Sequence, residues 1–166
     1  MNREVEVGEK KYRITIGYGA YQRVSALNVF LRAMNPDFEQ EIEANEDESQ
    51  GDIERATEVA TAALRSEELI TKDEEVELQS LADLGGGLNL IDLLGAEQKL
   101  QEKIHESKVR ILEIAVRDAS SNEFLNRDYV EYDLSPAHGE ELFAMVMETF
   151  ELIEDEIKDV NRKKKS

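Results

Sequence analysis

The chain has 166 residues, with 20 basic and 38 acidic side chains, a formal net charge of −18 and no cysteine. Without cysteine it can form no disulfide, no zinc–thiolate centre and no thiol nucleophile, which fits a reducing cytoplasmic compartment. So negative a chain repels nucleic-acid phosphate and anionic lipid, so neither nucleic acid nor membrane is expected as a ligand, and the expected partner is protein.

A chain of this length normally forms one domain, and a 40% hydrophobic content is enough to build a core. Its opening residues alternate charge and valine, unlike a signal peptide, and no apolar run approaches the roughly 20 residues of a membrane span. The charge is unevenly placed: residues 1–36 carry +3, 37–84 carry −14, 85–135 carry −4, 136–160 carry −7 and 161–166 carry +4. A single domain over 1–166 is expected. It comprises a hairpin plus first helix (1–36), an acidic mobile loop (37–52), a helical part (53–160) and a basic tail (161–166).

Glu4-Val5-Glu6-Val7 and Lys11-Tyr12-Arg13-Ile14-Thr15-Ile16 alternate with period two around Gly8-Glu9-Lys10, the pattern of a β-hairpin with a three-residue loop. Val5, Val7, Tyr12, Ile14 and Ile16 share the apolar face. An isolated hairpin is only marginally stable, so this face requires a cover. Gly17-Tyr18-Gly19 turns the chain. From Ala20 the residues Val24, Leu27, Leu31 and Met34 recur at helical spacing until Asn35-Pro36.

After the acidic loop, Ile53, Ala56, Ala60, Ala63 and Leu64 mark a second helix. Thr71 and Glu74 form a capping box that opens a third, with Val76, Leu78, Leu81 and Leu84, ending at Gly85-Gly86-Gly87. The short apolar run that follows reads equally as helix or strand. A long helix over 96–119 carries Leu100, Ile104, Ile111, Leu112, Ala115 and Val116, and Ser120-Ser121-Asn122 closes it. An irregular link containing Phe124, Leu125, Tyr129 and Tyr132 leads to the last helix. There Ser135 is the N-cap and Pro136 the first helical residue. Leu142, Val146, Phe150, Ile153, Ile157 and Val160 follow, and from Val146 their spacing is that of a heptad seam. The fold expected is α+β, mainly α, with the N-terminal hairpin packed on a bundle of about five helices.

Catalytic and ligand motifs fail on inspection. Gly17-Tyr18-Gly19-Ala20-Tyr21-Gln22 lacks the third glycine of a dinucleotide fingerprint, and Gly85-Gly86-Gly87 lacks a following Gly-Lys-Ser/Thr. An EF-hand loop centred on Gly51 would need Asp and Glu where Glu46 and Thr57 stand. His105-Glu106 begins a zinc-protease helix, but Val109 replaces its second histidine. No catalytic residue, cofactor or metal ligand is assigned, and an enzyme is not expected.

The strand, Gly-Glu-Lys-Lys turn, second strand and Gly17 leading into a first helix resemble the opening of tail assembly chaperones of long-tailed bacteriophages, as do the size, acidity and helical content. The resemblance implies a non-enzymatic, cytoplasmic holding protein. Its partners would be the tape-measure protein and tail-tube subunits, with self-association also open. The basic run Asn161-Arg162-Lys163-Lys164-Lys165-Ser166 reads first as a tail that complements a helix C-terminus; the resemblance implies a second reading, the frameshift site at which such proteins are often extended. The candidate partner-binding stripe is Val146, Phe150, Ile153 and Ile157, with Met145 and Met147 as adaptable neighbours. On this reading Phe150→Asp abolishes partner binding and leaves helicity intact. The alternative is an acidic regulatory or inhibitory protein-binding module, such as a mimic of nucleic-acid charge.

Overall fold

The structure, a computed structural model, describes residues 1–33, 60–76 and 90–165. The expected acidic loop, Met34 to Pro36, Ile53, Ala56, Leu78, Leu81, Leu84 and the triple glycine lie outside the described residues. The fold is α+β, with an antiparallel N-terminal hairpin packed against several helices.

Strand β1 (Asn2–Val7) pairs antiparallel with β2 (Lys10–Thr15), with Val5 opposite Tyr12 and Val7 opposite Lys10. The connecting turn is therefore two residues, Gly8-Glu9, and not the three expected. Gly8 has φ +64° while Glu9 does not have a positive φ, the backbone pattern of a type II′ turn, whose twist matches that of the strands. A Cβ at Gly8 would also lie 2.8 Å from His138 Cε1, so both conformation and space call for glycine there. The alternation works as read: Val5, Val7, Tyr12, Ile14 and Ile16 are all buried.

Helix α1 (Tyr18–Ala33) begins two residues earlier than expected, and Val24, Leu27 and Phe30 are its buried positions. Helix α2 (Leu90–Ala115) overrides Gly95, which was expected to precede it, and gives residues 90–95 helical form. It also stops four residues short of the expected end. Without any intervening loop the chain becomes strand β3 (Val116–Asp118), which pairs antiparallel with β2 through Tyr12–Asp118, Arg13–Arg117 and Ile14–Val116. The sheet order is β1-β2-β3. Asn122, at φ +59°, makes the turn that returns Phe124 to bridge Arg117. Asparagine tolerates this left-handed conformation better than most residues.

The link expected to be irregular or extended instead holds a short π-helical segment, Tyr129–Asp133. Ser135 then caps the last helix, α3 (Pro136–Lys165), its Oγ accepting from the His138 backbone N–H at 3.2 Å. The helix continues through Lys165, so the basic residues expected to form a tail are its last turn.

The chain divides into two compact units, 1–24 with 108–166, and 25–107. In the first, the apolar face of the hairpin joins Val24, Val109, Ile111, Leu112, Ala115, Val116, Leu142, Val146 and Phe150 among the buried residues. The buried hydroxyl of Thr149 donates to the Met145 carbonyl at 2.9 Å, so its burial leaves no orphaned polar group. In the second unit Leu27, Phe30, Ala60, Ala63, Leu64, Leu69 and Ile70 are buried. Residues 60–66 are helical and close with the Leu69 N–H on the Leu64 carbonyl and the Glu68 N–H on the Arg65 carbonyl. Glu68 sits at φ +60°, the position glycine usually takes in this motif. The capping box forms as read: the Glu74 N–H donates to Thr71 Oγ1 at 3.2 Å and the Thr71 N–H to Glu74 Oε1 at 3.3 Å. Val76, expected on an apolar face, is exposed. Lys103 anchors this corner, donating to the Leu69 carbonyl at 2.7 Å and lying 3.4 Å from Glu74 Oε2.

Candidate functional site

Two features of the first unit stand out, a polar cluster at one end of the sheet and the C-terminal turns of α3. The cluster exists because β3 lies beside β2. Lys10 Nζ sits 2.9 Å from Asp118 Oδ2 and 4.6 Å from the centre of the Tyr129 ring, and the Tyr12 and Tyr129 hydroxyls are 2.6 Å apart. Asp118 also accepts from the Ser120 hydroxyl at 2.6 Å and the Ser120 backbone N–H at 2.8 Å. The Ser120 hydroxyl and then Lys10 hold the Asp118 carboxyl well below the usual carboxylate range. Asp118 in turn raises Lys10. Burial, with the Tyr129 hydroxyl beside it, pushes Tyr12 up. Each of these groups is matched inside the chain, so the cluster braces the hairpin to the corner after α2. Sequence reading missed it because Tyr12 and Tyr129 are 117 positions apart, and no local pattern announces such a meeting.

The stripe on α3 is split by the structure. Val146 is 0% exposed and Phe150 1%, with the Phe150 ring stacked on Tyr21 of α1 at 5.2 Å between centroids. Both are core, so neither is available to a partner, and Phe150→Asp, expected to leave helicity intact, instead places a charge in the core. The reason is that α1 and the hairpin need a cover and the first half of the seam supplies it. Met145 and Met147 are half-buried.

Beyond Phe150 the packing thins. Ile153 and Glu154 are half-buried, the latter close enough to Tyr21 for its charge to add to the upward shift that burial gives that phenol. Every residue from 155 to 164 is exposed, with Ile157 at 39% and Val160 at 54%. Ten helical residues span about 15 Å. Ile153, Ile157 and Val160, spaced four and three, form one apolar strip along this segment. Leu152, 47% exposed, lies on another face. The strip's flanks change sign along the helix. Glu151, Glu154, Asp155 and Glu156 come first, then Lys158, Arg162, Lys163 and Lys164 with only Asp159 among them.

His105 and His138 are both exposed, and among the described residues neither joins a ligand set. Among the described residues no three His, Cys, Asp or Glu side chains gather to hold a metal, and no helix is long and apolar enough to cross a membrane. Comparison with protein-family models, curated proteins and solved structures finds no match to this chain.

Proposed function

We propose that this protein is a non-enzymatic assembly chaperone of a long-tailed bacteriophage, acting in the host cytoplasm to hold the tape-measure protein while tail-tube subunits assemble. The observation that carries this reading is the strip Ile153, Ile157 and Val160, half-buried at Ile153 and exposed at Ile157 and Val160, at the end of a helix whose earlier seam is core. A long helical client presents apolar positions at the same spacing, and helix-on-helix docking uses such anchors. The hairpin that leads through Gly17 into α1, the segment resembling the chaperone family, adds support, and a charge of −18 keeps a holding protein and its cargo soluble.

Co-expression tests the reading. A tape-measure fragment that is insoluble alone should become soluble with the wild-type chain and co-purify with it. Ile157→Glu with Val160→Glu should abolish that rescue while the thermal melt of the isolated protein is unchanged. A fragment rescued equally by the double variant removes the strip from the function, and no rescue by the wild type removes the function itself.

A further inference from the structure

The outer edge of β1 is open, and we propose that it takes an extended segment of another protein carrying Lys or Arg at alternate positions, added as a fourth strand. The strand pairing fixes which groups face outward. The Met1 amino group donates to the Ile16 carbonyl at 2.9 Å and the Ile16 N–H to the Met1 carbonyl at 3.0 Å. Hydrogen-bonded pairs alternate along an antiparallel ladder, so Arg3, Val5 and Val7 bond to β2, while Asn2, Glu4 and Glu6 turn their backbone N–H and C=O groups away from it. Among the described residues no strand lies on that side. The far edge of the sheet is closed by the chain itself: the Leu125 N–H donates to the Val116 carbonyl at 3.0 Å and the Asp118 N–H to the Glu123 carbonyl at 2.9 Å. An edge strand with an unpaired row of donors and acceptors is a template for strand addition.

The side chains select the occupant. Glu4 and Glu6 are exposed, on the face of the sheet opposite buried Val5 and Val7, and neither joins an ion pair among the described residues. On β2 their opposite numbers are Arg13 and Lys11. The rows across the sheet therefore run from basic on β2 to acidic on β1, and a basic residue on the next strand continues the alternation. Opposite charges directly across a strand pair stabilise it, and like charges destabilise it. The same rule rejects a second copy of β1. Outward-facing residues must pair with outward-facing residues, and a two-fold antiparallel pair can be centred in three ways. Centred on Glu4 it sets Glu4 against Glu4, centred on Val5 it sets Glu4 against Glu6, and centred on Arg3 it sets Arg3 against Arg3. The proposal rests on β1 alone and holds whatever the strip on α3 binds.

The test uses the full chain and two short synthetic peptides, one alternating lysine and valine, the other alternating glutamate and valine. A chain at −18 attracts any cation, so the readout is the place of contact, measured by amide hydrogen exchange. The lysine peptide should slow exchange at Glu4 and Glu6 and leave Arg3 and Val5, already bonded to β2, little changed. The glutamate peptide should slow none of them. Glu4→Gln with Glu6→Gln should weaken the lysine peptide by about threefold or more. Glu4→Pro removes an outward N–H at an edge position where proline is tolerated, and should weaken binding further than Glu4→Gln while the thermal melt stays cooperative. If Glu4→Pro does not fold, the wild-type exchange pattern and the glutamine variant decide. Unchanged exchange at Glu4 and Glu6 with millimolar lysine peptide, slowing by both peptides alike, binding indifferent to the glutamine variant, or a dimer of the peptide-free chain that protects the same amides would each overturn the proposal.

Discussion

Asp118, at the last rung of the β2–β3 ladder, makes three contacts through one carboxylate: with Lys10 of β2, with the Ser120 hydroxyl and with the Ser120 backbone N–H. Hydrogen bonds to charged groups contribute about 1.5–3 kcal/mol, so Asp118→Asn should lower stability by about that amount at pH 7. The sign with pH follows from the depressed carboxyl. Unfolded aspartate titrates near about 3.9, and the folded group lies below it, so the stabilisation is fully present above that value and is lost as pH falls towards the folded one. Thermal melts of wild type and variant should differ by a constant amount from pH 7 down to about 4 and converge towards pH 2. An offset that does not shrink at all between pH 4 and pH 2 would show that the carboxylate's charge contributes nothing.

At the level of elements, α3 is one helix with two environments. Its first half is covered by the hairpin and α1, and residues 155–164 of its last turns are exposed. Phe150→Ala should cost about 3–5 kcal/mol in urea unfolding, as for a large aromatic removed from a core. Ile157→Ala, measured at protein concentrations where the chain is monomeric, should change stability by less than about 0.5 kcal/mol. The seam itself was legible in the sequence, because spacings of four and three are a property of the residues. What covers it was not, because periodicity is the same under a neighbouring strand, a partner or water. The hairpin was legible for a similar reason: alternation with period two selects a face without further context. The third strand was not. Ile111, Leu112, Ala115 and Val116 keep helical spacing up to the moment the helix ends, and only the open edge of β2, about a hundred residues earlier, turns Val116 into a strand residue. Gly95 misled in the opposite direction, since a helix tolerates an internal glycine at about 1 kcal/mol when the turns around it hold. The polar cluster of Lys10, Tyr12, Asp118 and Tyr129 became visible only once β3 had been placed.

For the molecule as a whole, net charge opposes compactness. A chain at −18 repels itself over a range set by salt, about 30 Å at 0.01 M and about 8 Å at 0.15 M. The melting temperature should therefore rise as NaCl is raised between these concentrations. A fall would mean that the ion pairs outweigh the repulsion. The first compact unit is built from both ends of the sequence, residues 1–24 and 108–166, with Arg3 reaching Thr149 across 146 positions. This sets a timetable during synthesis. At about 5–20 residues per second a ribosome needs about 7–30 s to travel from Arg3 to Thr149. The hairpin is complete once Thr15 has been made, while β3 waits for residue 118 and the first half of α3 for the end of that interval. Val5, Val7, Tyr12, Ile14 and Ile16 must wait without their final cover, and the slow step of folding is the return of the late segments to a sheet begun at the start.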